Sequence, residues 1–185
     1  MGERKRRVIH SMITNEVTLR EVQESDLATF FEQQLDPEAI RMAAFPSRTR
    51  DAFMAHWAKS RAQETSILKT IIFQGEVAGN IVYWEQSGEC KVGYWLGKEY
   101  WARGIASAAL SQFLRLVKVR PLYARVAKHN IASIRVLEKC GFIVAGEDKF
   151  SDDDGKEGEE FIFKLGAPST PSNQAMQRTA PRSDA

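Results

Sequence analysis

A change of hydrophobic period in the middle of the chain constrains the fold more than any other feature of this sequence. Residues Ile67–Phe73 are rich in β-branched side chains, Gln74-Gly75-Glu76 reads as a turn, and residues 77–84 carry a second strand pattern. Ser87-Gly88-Glu89 turns the chain back into residues 90–96, so the three runs predict an antiparallel meander. From residue 104 to residue 118 the spacing switches. Ile105, Ala109, Leu110, Phe113, Leu114 and Val117 fall on one face at helical period. A further strand over Leu122–Ala127 follows that helix, and a strand–helix–strand crossover within one sheet runs parallel. The two periods together predict a mixed sheet with helices packed on it.

The flanks extend this reading. Ser25 is placed to cap a helix carrying Leu27, Phe30, Phe31 and Leu35. Asp36-Pro37-Glu38 is a second helix start, with a capping carboxylate and proline at the first helical position. Thr49 can cap a third helix, in which Phe53 and Trp57 lie one turn apart. Asn130 can cap a helix bearing Ile131, Ile134 and Leu137, and Gly141 sits where a left-handed helix stop is wanted. Residues 142–145 and 160–165 read as closing strands around an acidic loop over 151–159. The predicted order is helices, a β-meander, then β-α-β-α-β-β. The fold class is α/β (α+β): a mixed, mostly antiparallel sheet with helices on both faces.

One folded domain is expected over residues 17–165. Residues 1–16 read as a flexible basic N-terminus. Residues 166–185 hold three of the six prolines and no aromatic or branched aliphatic residue, so they cannot offset ordering entropy by burial and read as a disordered tail. Lys+Arg 26 against Asp+Glu 24 leaves a net charge of +2, which argues against a dedicated nucleic-acid binder. No apolar run approaches the roughly 18 residues of a membrane-spanning helix. The basic run Arg4-Lys5-Arg6-Arg7 is followed by no apolar stretch, so it does not read as a secretory signal, and Arg6 stands where a myristoylation motif needs Ser or Thr. Two cysteines make no disulfide framework, and the expected compartment is the reducing cytoplasm. His10, His56 and His129 are scattered, so no metal site is expected, and Cys90 and Cys140 read as packing residues rather than nucleophiles.

The most informative stretch is Gly93-Tyr94-Trp95-Leu96-Gly97-Lys98-Glu99-Tyr100-Trp101-Ala102-Arg103-Gly104-Ile105-Ala106-Ser107. A strand ends near Leu96 and a short loop feeds directly into a helix. Small residues at such a turn let the backbone approach a ligand. The free N–H groups of the first helical turn, with the positive end of the helix dipole, form an anion site for which a phosphate-bearing cofactor is the obvious occupant. No Gly-Lys-Ser/Thr follows, so this is not a nucleotide P-loop, and the glycines of a dinucleotide fingerprint are missing. Glycine at a strand-to-helix turn also serves as a plain packing device, and the turn by itself leaves both readings open.

Downstream residues complete a set. Trp101-Ala102-Arg103-Gly104-Ile105-Ala106 resembles the acyl-CoA signature Gln/Arg-x-x-Gly-x-Gly/Ala of the GCN5-related N-acetyltransferase (GNAT) superfamily. Gly93-Tyr94-Trp95-Leu96 resembles its splayed central strand. Asn130-Ile131-Ala132-Ser133 and Val136-Leu137-Glu138-Lys139-Cys140-Gly141-Phe142 resemble its C-terminal motif. The chain is most similar to the RimJ/RimL-type branch, which acetylates ribosomal-protein N-termini, and the likeness spans residues 17–165, including Thr18-Leu19-Arg20 and Asp26.

The resemblance implies a GNAT-like fold and acetyl-CoA as cosubstrate. The pyrophosphate would sit on the N–H groups of Arg103, Gly104, Ile105, Ala106 and Ser107. The pantetheine arm would run along the strand ending at Leu96, with the thioester carbonyl polarised by a backbone N–H near Trp95 or Leu96 and with Asn130 facing the arm. The acceptor would be an amine, either a peptide N-terminus or a small molecule, attacking directly in a ternary complex. A homodimer is compatible with the chain. Three departures stand out. Trp101 stands where many members have Gln or Arg, though bulky aromatics occur there in the RimJ/RimL branch. Leu137 occupies the place of a tyrosine acid, which makes Ser133 the candidate acid, and Lys91 replaces an acidic residue.

A protonated amine must lose its proton before attack. Glu85 and Glu89, flanking the turn before the central strand, are the candidate bases, and both can equally be solvated surface carboxylates. Ser133 can equally be a first-turn residue satisfying backbone groups. Tyr94 and Trp95 read as core or wall residues that can line the acceptor pocket, which is expected between the first helices and the last hairpin. Two further functions fit the same residues: a non-catalytic acyl-CoA sensor, and a ribosome- or RNA-associated protein docking through its basic arm.

Overall fold

The computed structural model describes residues 16–151 and 157–167. The predicted N-terminal arm, the C-terminal tail and the Asp152-Asp153-Asp154 segment lie largely or wholly outside them. Seven strands form one sheet in the order β1-β2-β3-β4-β5-β7-β6. They are β1 (Val17–Glu21), β2 (Ile67–Phe73), β3 (Glu76–Gln86), β4 (Glu89–Leu96), β5 (Leu122–Ala127), β6 (Ile143–Ser151) and β7 (Glu157–Leu165). Every neighbouring pair is antiparallel except β4 and β5. The five helices are α1 (Asp26–Gln34), α2 (Pro37–Ala43), α3 (Arg50–Ala62), α4 (Ile105–Leu116) and α5 (Ile131–Lys139).

Alternation along β3 divides the core between the two faces of the sheet. Ile81 and Tyr83 belong to the larger cluster, with Ile105, Leu110 and Phe113 of α4 and Leu137 of α5. Val82 packs instead with Leu27 and Phe30 of α1 and Phe53 and Trp57 of α3. Helices therefore cover both faces, as the amphipathic patterns predicted. The caps behave largely as expected. Asp36 accepts from the N–H groups of Glu38 and Ala39, Thr49 from Ala52, and Asn130 from Ser133, while Gly141 takes φ +88°.

Four expectations needed correction. The first element among the described residues is a strand, not a helix: β1 pairs along its length with β2. Five residues at a sheet edge carry too little apolar alternation to announce themselves. Ser25 makes no side-chain cap. The α1 entry is organised by Asp26, which is 2% exposed and accepts from the N–H of Gln23 at 2.9 Å. The closing strands are longer than residues 142–145 and 160–165, because β6 and β7 pair from Ile143↔Lys164 out to Ser151↔Glu157. Backbone pairing holds residues that composition assigned to a loop. Among the described residues the last hairpin also takes no part in lining the cavity that α1, α3 and strands β2 to β4 enclose.

Candidate active site

The site is built around the end of β4. Lys91↔Tyr123 is the single bridge joining β4 to β5, so the parallel strands part immediately beyond it. On the other side, β4 stays fully paired with β3 from Glu89 to Leu96. The N–H of Gly97 donates to the carbonyl of Ala78 on β3 at 3.0 Å. Successive amides of a strand point to opposite edges, so Trp95 shares the β3 side with Gly97, whereas Tyr94 and Leu96 direct their N–H groups into the opening. Of the two candidates for polarising an acyl carbonyl, the geometry favours Leu96.

Beyond Leu96 the chain makes one 3-10 turn over Lys98–Tyr100 and enters α4. Ala102 and Gly104 both have positive φ, 56° and 74°. This turn reverses the chain so that the start of α4 faces the strand ends. No side chain caps α4. The first intrahelical donor is Ala108, bonded to the carbonyl of Gly104, which leaves the N–H groups of Ile105, Ala106 and Ser107 without helical acceptors. A Cβ built on Gly104 meets nothing within 4 Å. Arg103 lies in the turn itself, with its guanidinium 4.5 Å above the Phe73 ring. An uncapped helix start with open space at its glycine suits an anionic group. Trp101, the first residue of the signature, donates its indole N–H to the carbonyl of Leu96 at 3.1 Å and ties the turn to the end of β4.

Ser133 lies in the first turn of α5, the helix that follows β5. Its hydroxyl is 2.7 Å from the Tyr94 hydroxyl, so a pair of hydroxyls joins β4 to α5 beside the opening. Burial pushes the Tyr94 phenol up to about 12 against the opposing effect of the Ser133 hydrogen bond, so it is protonated throughout the neutral range. Asn130 uses both ends of its amide within the protein. Its Oδ1 accepts from the Ser133 N–H and its Nδ2 donates to the Met42 carbonyl, each at 3.0 Å. Leu137 is fully buried in the core.

On the opposite face of the sheet, α1 and α3 stand off β2, β3 and β4 and leave a cavity of about 710 Å³ that reaches Tyr94 and Trp95. Its walls are largely aromatic, with Phe30, Phe53, Trp57, Trp84 and Trp95. Gly93 keeps the floor open, since a Cβ there would touch the Trp84 ring at 3.4 Å. The Trp95 indole donates to the Gln33 carbonyl at 3.2 Å and fixes the strand end against α1. Glu85 is exposed at the cavity border, and its Oε1 accepts from the Tyr83 hydroxyl at 2.8 Å. Glu89 pairs with Lys91 at 3.3 Å. The cavity also holds His56, which sequence scatter had set aside. Partial burial, then the charges of Arg48 and Lys59, hold its pKa below the usual histidine value. Only the helical register of α3, which brings residue 56 to the cavity, could have signalled it.

Among the described residues no cluster of His, Cys, Asp and Glu could hold a metal ion, and no helix is long and apolar enough to cross a membrane. Cys90 and Cys140 are free and half-buried.

A parting parallel pair that opens onto an uncapped helix start is the architecture expected of an acyl-CoA-dependent transferase. The sequence model of the acetyltransferase (GNAT) domain matches residues 16–143, and the chain belongs to this family. Solved structures share the fold. A spermidine N-acetyltransferase from Vibrio cholerae, in complex with CoA and spermine, superposes with a TM-score of 0.70 at 16% identity, covering 81% of this chain and 95% of that one. Mycobacterium smegmatis RimJ, in complex with CoA-disulfide, gives 0.69 at 22% identity with 84% of each chain covered. A GNAT-family acetyltransferase from Bacillus anthracis gives 0.69 at 18%, covering 81% and 94%. No curated protein matches the sequence.

Proposed function

We propose that the protein transfers the acetyl group of acetyl-CoA to a primary amine by direct attack in a ternary complex. The observation that carries this reading is the opening between β4 and β5 set against the uncapped start of α4. The diphosphate of the cosubstrate is held by the N–H groups of Ile105, Ala106 and Ser107, with Arg103 and Gly104 shaping the approach. The pantetheine arm lies along the free edge of β4, and the Leu96 N–H polarises the thioester carbonyl, where charge develops during attack. The acceptor enters from the aromatic cavity on the other face and reaches the acyl carbon near Trp95.

Two proton movements accompany the transfer. The attacking amine must be neutral, and Glu85 is the base in this reading; its carboxylate accepts from the Tyr83 hydroxyl, so it reaches the cavity border through water. The leaving thiolate needs a proton, and Ser133 is its donor. Tyr94 shares a hydrogen bond with the Ser133 hydroxyl, in which either oxygen can donate; when Ser133 gives its proton to the thiolate, the Tyr94 hydroxyl can resupply it. The likeness to acetyltransferases solved with CoA supports the choice of cosubstrate. Incubation with acetyl-CoA and a panel of primary amines should release free thiol, and calorimetry should detect acetyl-CoA binding. If the protein neither binds acetyl-CoA nor releases thiol with any amine, the reading is wrong; binding without turnover would identify a sensor.

A further inference from the structure

Two polar side chains that line the aromatic cavity have no hydrogen-bond partner among the described residues. The first is Arg48. Its backbone is fixed at both ends by the buried amide of Gln34, which donates to the Arg48 carbonyl at 3.0 Å and accepts from its N–H at 3.4 Å. Its guanidinium lies 4.7 Å above the Phe45 ring, half-buried at the cavity wall, and no acceptor among the described residues engages it. The second is Asn80, only 9% exposed. It stands directly opposite Trp95 in the β3–β4 ladder. Directly opposed residues share a face, and the Trp95 indole reaches α1, so the Asn80 amide also points to the cavity side. No described group hydrogen-bonds to that amide, and its polar atoms are not sealed off. Both polar ends stay accessible from one cavity, unlike the sealed Gln33 Oε1, and are free to engage a ligand that enters it.

The charge of the cavity selects the ligand. Arg48 and Lys59 bring positive charge to it from the helical side, beside His56, whose pKa is held low by burial and by those two charges. Glu85 is the carboxylate at its border, and that carboxylate is turned to the Tyr83 hydroxyl. A polycation would meet like charge here. A carboxylate would gain a guanidinium already positioned by Gln34 and Phe45.

Resting on the acetyltransferase reading above, we propose that the acceptor is a primary amine whose apolar body carries a carboxylate. Arg48 holds the carboxylate, Phe30, Trp57 and Trp84 hold the body, and Asn80 orients the amine next to Trp95.

Binding is measured by quenching of tryptophan fluorescence, since three of the four tryptophans line the cavity. The probes are L-phenylalanine, 6-aminohexanoate, the methyl esters of both, and spermidine. Acids should bind about tenfold or more tighter than their esters, the size of one charge-assisted contact. Arg48→Gln should bring the acid-to-ester ratio towards one, and Arg48→Lys should restore part of it. Asn80→Ala should weaken acid and ester alike. Esters binding as well as acids, spermidine binding most tightly, or no acid binding at millimolar concentration would each overturn the proposal. Thiol release from acetyl-CoA is followed separately. Turnover of esters or spermidine without any acid preference would leave the acetyltransferase reading standing and remove only this one, whereas acid-selective binding without turnover would overturn the acetyltransferase reading and leave Arg48 and Asn80 as a carboxylate-binding site.

Discussion

Asp26→Ala removes the acceptor on which the first strand, the first helix and the second strand converge. The carboxylate receives both guanidinium nitrogens of Arg20, at 2.6 and 2.7 Å, the Thr70 hydroxyl at 2.6 Å and the Gln23 N–H at 2.9 Å. Arg20 is 34% exposed, so water can rehydrate it and that pair is screened, worth about 1 kcal/mol. Thr70 is completely buried, and its orphaned hydroxyl costs roughly a further 1–3 kcal/mol. The sum is about 3 kcal/mol, or a fall in Tm of roughly 6–12 °C for a domain of this size. Calorimetric melting of wild type, Asp26→Ala, Thr70→Val and the double variant gives the test. The double variant should recover about 1 kcal/mol relative to Asp26→Ala, because no buried donor is left unpaired. The same carboxylate fixes an acid limb. Burial raises its pKa, but the hydrogen bonds from Arg20, Thr70 and Gln23 outweigh burial and hold it below the usual range. A depressed folded pKa stabilises the fold above the unfolded value of about 3.9 and is lost as pH falls through the folded value, so wild type and Asp26→Asn should converge in stability below about pH 4. A Tm change within about 2 °C for Asp26→Ala, or no recovery in the double variant, would refute the reasoning.

Other changes test the transferase site. At the bulge where β3 slips one residue against β2, a Cβ on Gly79 would lie 2.9 Å from the Leu96 Cα and nearer still to the Trp95 carbonyl. Gly79→Ala should therefore cost about 2–4 kcal/mol through strain and lost ladder bonds, seen in denaturant melts, whereas Gly93→Ala, meeting the Trp84 ring and Val82 at ordinary contact, should cost less than about 1 kcal/mol. Gly104→Val should weaken CoA binding at least tenfold by calorimetry, with a stability loss of about 1–2 kcal/mol from its left-handed backbone. Ser133→Ala should lower kcat by about 10²-fold while the KM for acetyl-CoA changes little, and an unchanged kcat would remove Ser133 as the acid. Glu85→Gln should flatten the acidic limb of the kcat/KM profile; if that limb persists and His56→Gln abolishes it instead, the base is His56.

The helices, the meander and the strand-to-helix turn before α4 were legible because each is dictated locally. Asp36 and Thr49 cap with their own side chains, Ile105 to Phe113 keep one apolar face, and Gly104 takes the left-handed backbone that glycine tolerates. What required the folded chain is set by contacts far apart in sequence. The β4–β5 opening depends on a parallel pairing that ends after one bridge, and neither strand records in its own residues where its partner departs. Tyr94 meets Ser133 only because β4 and α5 converge across 39 residues of sequence. The cavity gathers Arg48, His56 and Asn80 from three separate elements, and its charge was invisible while those residues were scattered letters. Period and capping are short-range physics that a sequence carries openly, whereas a binding site is a product of long-range packing.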